Sequence, residues 1–190
     1  MPRPYHPRSS LPALPLLALF GLVASCASPL PRTLDEAYDS TLQVRTGGGF
    51  HDPDEATEKR LKAGRDVVRA DLEAGEVRTA NEHVRAAFVL VSSRDLDDLD
   101  LAHKVAWQAG ELGDPRGWPL AAEALDRALF IQGQPQRFGT QYVYEPVLER
   151  WILYDVDPAT SDAERQRFGI PPLSALRDYA ARLNEAKKKN

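Results

Sequence analysis

One cysteine, Cys26, occurs in the 190 residues, so no disulfide can form within the chain. The apolar run at residues 11–25 is about fifteen residues long, short of the roughly twenty that a membrane-spanning helix needs. Lysines are few, and three of them (Lys187, Lys188 and Lys189) sit together near the end of the sequence. No basic stripe is present to release counterions from a nucleic acid, so nucleic-acid binding is not expected. No serine occupies a G-x-S-x-G elbow, and the one thiol lies at the end of the apolar run. Nucleophilic catalysis therefore has no visible carrier. No two histidines have the H-x-x-x-H spacing that places two imidazoles on one helix face for zinc. The triple glycine at Gly47-Gly48-Gly49 is not followed by Lys-Ser/Thr and reads as a linker, not a phosphate cradle. No self-similarity recurs at a fixed period, which argues against a full solenoid.

The N-terminal residues have the layout of a secretory signal: Arg3 and Arg8 without an acid, then the apolar run. The run closes on Val23-Ala24-Ser25-Cys26, which resembles the lipobox of bacterial lipoproteins. That resemblance implies cleavage before Cys26, acylation of its thiol by a diacylglycerol, and anchoring to a membrane without spanning it. By the same likeness, Ala27 after the cysteine implies the outer membrane, facing the periplasm. The alternative is an ordinary signal peptide cut nearby, with Cys26 incidental. Residues 1–25 are thus expected to be removed and residues 26–32 to form a tether. Without the signal, 22 basic face 28 acidic residues, a net charge of about −6. The length that remains supports a single domain with its own core, residues 33–190.

Thr33-Leu34-Asp35-Glu36 has capping-box spacing and predicts a short helix. Asp52-Pro53-Asp54-Glu55 predicts the start of the next, with Leu61, Gly64, Val68 and Leu72 on one face. A further helix opens near Thr79, with Val84, Ala87, Phe88 and Val91 in its stripe. Helices follow at about 96–112 and 116–132. The short Gly113-Asp114-Pro115 turn makes them antiparallel neighbours, and alanines on both let their backbones approach closely. The stretch AWQAGELGDPRGWPLAAEAL between them resembles the junction of a tetratricopeptide or Sel1-like helical hairpin. Alternation at Phe138, Thr140, Tyr142 and Tyr144, and again over 151–154, predicts a β-hairpin. A short helix capped at Ser161 and a last helix from about Pro172, with Leu173, Leu176, Ala180 and Leu183 on one face, complete the pattern. The expected fold is mainly α: antiparallel helical hairpins with one small β-hairpin near the C-terminal third.

Candidate chemistry is sparse. His83 lies beside an apolar stripe, His103 is one turn from Trp107, and His51 stands alone in a loop. A lone histidine at such a place is more often structural than a base. Asp95, Asp97, Asp98 and Asp100 invite a calcium reading. Leu99, Asp100 and Ala106, however, fall where a calcium loop needs an oxygen, glycine and glutamate. An acidic start to a helix explains the cluster better, and no metal or cofactor is assigned. The stretch DRALFIQGQPQRFGTQY remains. Its glycines and proline mark the end of a helix, while Asp126, Arg127, Gln136, Gly139, Thr140 and Gln141 offer polar groups and an approachable backbone for a ligand.

Over residues 86–173 run Ala102, Ala106 and Ala109 with Glu111-Leu112-Gly113, then Leu120-Ala121-Ala122, Asp126-Arg127-x-Leu129, Gly133-x-Pro135-Gln136-x-x-Gly139-Thr140-Gln141, Asp155-x-Asp157-Pro158 and Arg165-x-x-x-Gly169-x-Pro171-Pro172-Leu173. In these residues the chain resembles a bacterial family of domains of unknown function (family 6624). Val91-Ser92 departs from the Gln-His pair that many relatives carry there. The resemblance implies a shared fold and a shared polar corner, and no particular reaction. The leading expectation is a non-enzymatic binding or scaffolding lipoprotein. Its partners would be membrane lipid, through acylated Cys26, and a protein or peptide. The competing one is a hydrolase-type enzyme with His83 or Asp126 as base and the Gln136–Gln141 corner orienting substrate. In a third reading, the motif only holds the helix-to-hairpin corner.

Overall fold

A computed structural model describes residues 29–47 and 53–187. Cys26, Gly48, Gly49, His51, Asp52 and the two last lysines lie outside them, as do the signal and residues 26–28 of the tether. Seven helices and one two-stranded sheet follow in the order α1 Leu34–Thr46, α2 Glu55–Glu73, α3 Ala80–Leu90, α4 Leu96–Glu111, α5 Gly117–Ile131, β1 Tyr142–Glu145, β2 Arg150–Leu153, α6 Asp162–Arg167 and α7 Leu173–Lys187. The mainly helical fold with a small hairpin is as the periodicity predicts. None of the described helices is long and apolar enough to cross a membrane.

The helix starts follow from side chains that satisfy orphan N–H groups. Thr33, Asp54, Thr79, Asp95 and Ser161 each accept from the first turn of their helix. The pattern puts the cap of α2 at Asp52, which lies outside the described residues; the structure shows Asp54 as the cap, its carboxylate accepting from the Thr57 N–H at 2.7 Å. At α3 the capping box is complete: Thr79 accepts from the Glu82 N–H, and Glu82 accepts from the N–H groups of Thr79 and Arg78, both at 2.8 Å. These bonds hold the Glu82 carboxyl below the usual glutamate range. A lowered folded-state pKa adds stability that is complete above the ordinary value of about 4.3 and is lost as pH falls through the lowered one. The parent is therefore expected to melt higher than Glu82→Gln at neutral pH, with the gap closing below about pH 4. Thermal melts across that range check it.

Alanine and valine dominate the core. Ala86, Val89, Leu90, Leu99, Ala102, Ala106, Ala121 and Ala124 are buried together where α3, α4 and α5 meet, and Ala37 and Val68 extend this core into α1 and α2. Small residues allow the approach. A Cβ on Gly117 would sit 2.3 Å from the Ala106 carbonyl oxygen and 2.6 Å from the Gly110 nitrogen. A Cβ on Gly110 would strike the Trp118 ring at 2.5 Å. Trp118 in turn meets Trp107 edge-on, and Phe168 packs against both rings.

In the hairpin, β1 and β2 pair antiparallel, with Tyr142 opposite Leu153 and Tyr144 opposite Trp151. The first strand begins four residues later than the alternation from Phe138 implies, since the N–H groups before it are turned elsewhere. α7 packs along β2. The Tyr142 hydroxyl donates to the Leu176 carbonyl at 3.1 Å, and the ring meets Tyr179. Burial, with the neighbouring Tyr179, pushes the Tyr142 hydroxyl up to about 12.

Candidate functional site

α5 ends where Gly133 takes a left-handed φ of 69° and its N–H bonds back to Phe130. The chain then folds back over the helix, and the loop 137–140 wraps around Asp126. That carboxylate is fully buried. One oxygen accepts from the N–H groups of Arg137 at 2.7 Å and Phe138 at 2.9 Å. The other accepts from the N–H groups of Gly139 at 2.9 Å and Thr140 at 3.0 Å, and from the Thr140 hydroxyl at 2.9 Å. Consecutive N–H groups converging on one anion form a nest. Gly139 makes it possible with a φ of 95°, and a Cβ there would lie 2.7 Å from Leu176 Cδ1.

Gln136 is equally buried. Its amide nitrogen donates to the carbonyls of Gln141 and Tyr154, each at 2.9 Å, and its amide oxygen accepts from the Gln141 N–H at 2.7 Å. The side chain thus stands between the two strands just beyond the end of the hairpin, where peptide groups would otherwise pair. Its backbone pairs with Val156 in a parallel bridge. The Gln141 side chain donates to Thr140 Oγ1 at 3.0 Å. From the far side Arg165, also buried, donates to the carbonyls of Phe138 and Thr160 and to Asp162. Asp126, Gln136, Gly139, Thr140 and Gln141 therefore meet; the side chains of Asp126 and Gln136 bond the chain's own backbone, and that of Gln141 bonds the Thr140 hydroxyl.

Arg127 leaves this group. It is next to Asp126 in sequence, about 100° around the helix, and its Nε donates to the Ser93 carbonyl at 2.8 Å, at the α3–α4 turn. Burial draws it down to about 10, opposed by Glu123 and reinforced by Arg45, Arg94 and Arg65. It remains a cation at neutral pH. Ser93 also marks a charge network that sequence reasoning missed. Its hydroxyl donates to buried Asp98 at 2.6 Å, which Arg69 reaches at 2.7 Å and Arg65 at 3.5 Å. The available signal was Arg65 itself, set among Leu61, Gly64 and Val68 on the inner face of α2.

The other candidates have local partners. His83 is buried, and its Nδ1 donates to the Thr79 carbonyl at 2.8 Å in the first turn of its own helix. His103 Nδ1 donates to the Ala121 carbonyl at 2.9 Å and ties α4 to α5. Among the described residues, neither histidine hydrogen-bonds to Asp126 or Gln141. In the acidic cluster, Asp95 caps α4, Asp98 joins the arginine network and Asp100 pairs with Lys104.

An open groove of about 650 Å³ lies between β2 and α7. Arg150, Leu153, Asp155, Arg177, Ala181 and Asn184 are among the residues lining it. Asn184 clasps the edge of β2: its oxygen accepts from the Trp151 N–H at 2.7 Å, and its nitrogen donates to the Trp151 carbonyl at 2.9 Å. Sequence reasoning passed over Asn184, which sits next to Leu183 on the apolar face of α7. Compared with family models, curated proteins and solved structures, the chain finds no match.

Proposed function

We propose that the chain is a membrane-anchored bacterial envelope lipoprotein that works by binding or scaffolding, held by lipid at Cys26 on the periplasmic side of the outer membrane. The lipobox-like Val23-Ala24-Ser25-Cys26 supports the anchor. One observation carries the binding part of the reading. The polar groups that could have served a reaction, Asp126 and Gln136, are buried and bonded within the chain, while the β2–α7 groove is open. In this reading the motif builds the frame that positions β2, and contact with a partner is made on the surface beyond it.

Two experiments test the reading. Cys26→Ser is expected to move the protein from the membrane to the soluble fraction after cell breakage. Continued membrane retention would remove acylation as the anchor. Photo-crosslinkers placed over the exposed faces of the anchored chain are expected to yield a discrete partner adduct in intact envelopes. A small molecule that raises the melting temperature and is then turned over would replace binding with catalysis.

A further inference from the structure

We infer that the β2–α7 groove takes an extended peptide segment carrying a carboxylate, seated as a short strand on the outer edge of β2. The inference rests on the binding reading above and names its partner class. In a two-stranded sheet each strand leaves one edge unpaired. The Tyr154 N–H donates to the Gln141 carbonyl at 3.1 Å. Antiparallel pairs alternate between bonded and non-bonded, so Trp151 and Leu153 turn their N–H and C=O groups away from β1. The pair on Trp151 is already taken by a primary amide, that of Asn184. This amide occupies the place that a neighbouring strand's peptide group would fill. One step along the edge comes the Leu153 pair, and Ala180 and Ala181 of α7 line the same groove. A methyl group can neither donate to the carbonyl nor accept from the N–H.

Charge narrows the occupant. Arg150 and Arg177 line the groove, both exposed, and neither enters a salt bridge among the described residues. Asp155 is the one acid in the lining. The groove is thus cationic on a chain whose formal net charge is −4. Backbone groups along an edge select an extended peptide. Two guanidinium forks in the same groove select a carboxylate, that of an acidic side chain. The volume lies within the range of built ligand sites.

The test uses the full acylated chain in detergent micelles, titrated with fluorescein-labelled hexapeptides of alternating Val and Glu or alternating Val and Lys. The Val-Glu peptide is expected to bind, to slow solvent exchange of the Leu153 amide, and to bind at least about tenfold tighter than the Val-Lys peptide. Arg177→Glu and Ala181→Trp alter exposed positions. Each is expected to weaken binding about tenfold or more with the melting temperature unchanged. If Ala181→Trp lowers the melting temperature, Arg177→Glu decides alone. No binding, equal binding of both peptides, or an unchanged Leu153 amide overturns the proposal. If the peptides fail while envelope crosslinking from another face still captures a discrete partner, only the groove is lost. If both fail, the binding reading falls with it.

Discussion

Asp126→Ala is expected to cost about 4 kcal/mol or more, a loss of roughly 10 °C or more in melting temperature. The reason is the asymmetry of hydrogen bonding. The substitution removes one buried carboxylate, but it strands the N–H groups of Arg137, Phe138, Gly139 and Thr140, which all converge on it. An unsatisfied buried donor costs about 1–3 kcal/mol, and water has limited access to a side chain with no exposed surface. Asp126→Asn should recover only part of the loss, because one face of its amide presents hydrogens to donors. The vacated nest is itself an anion site, so added formate should raise the melting temperature of Asp126→Ala and leave the parent unchanged. A parent-like melt for Asp126→Ala would mean that the loop 137–140 does not depend on the carboxylate.

Gly117→Ala is the second large effect, with an expected cost of about 3 kcal/mol. The added methyl would stand 2.3 Å from the Ala106 carbonyl oxygen and 2.6 Å from the Gly110 nitrogen. Both are backbone atoms of α4, which no rotamer change can move, so α4 and α5 must separate. Separation would loosen Ala106, Ala109 and Ala121, whose burial depends on the close approach. Gly113→Ala is the control, since a Cβ there meets nothing within 4 Å. Its cost is limited to the left-handed φ of 95°, about 1 kcal/mol. Chemical denaturation of the two variants side by side separates packing from backbone strain. Equal costs would count against the tight helical hairpin.

The helices are legible in the sequence because their signals are local. Thr79 with Glu82, Asp95, and Ser161 act within one turn of the helix they start. The start of α2 is less legible, since Asp52 and Asp54 are both good caps and only the reach to Thr57 decides between them. The start of β1 misleads for a different reason. Phe138 and Thr140 alternate like a strand, yet their N–H groups point at Asp126 and not at a partner strand. That contact spans a dozen residues, and no periodicity reports it.

The site shows the same division. The sequence singles out Asp126, Arg127, Gln136 and Gln141 as residues that turn and helix rules leave unexplained. It does not show that Asp126 and Gln136 point inward while Arg127 reaches the α3–α4 turn. The clasp of Asn184 on Trp151 and the outward turn of Leu153 depend on strand register, which comes from pairing partners far apart in the chain. Residues that spend their hydrogen bonds on the fold and residues that offer them to a ligand belong to the same chemical types. Composition and spacing do not separate the two.

Amide hydrogen exchange across residues 137–141 of the parent is the most direct measurement of whether the motif is a closed corner. If Asp126 and Gln136 hold these amides as the geometry indicates, all five should exchange slowly, with protection comparable to the core helices α4 and α5. Exchange near the rate of a free peptide would contradict this. It would mean that the corner opens to solvent, and it would return Asp126, Gln136 and Gln141 to candidacy as a ligand site.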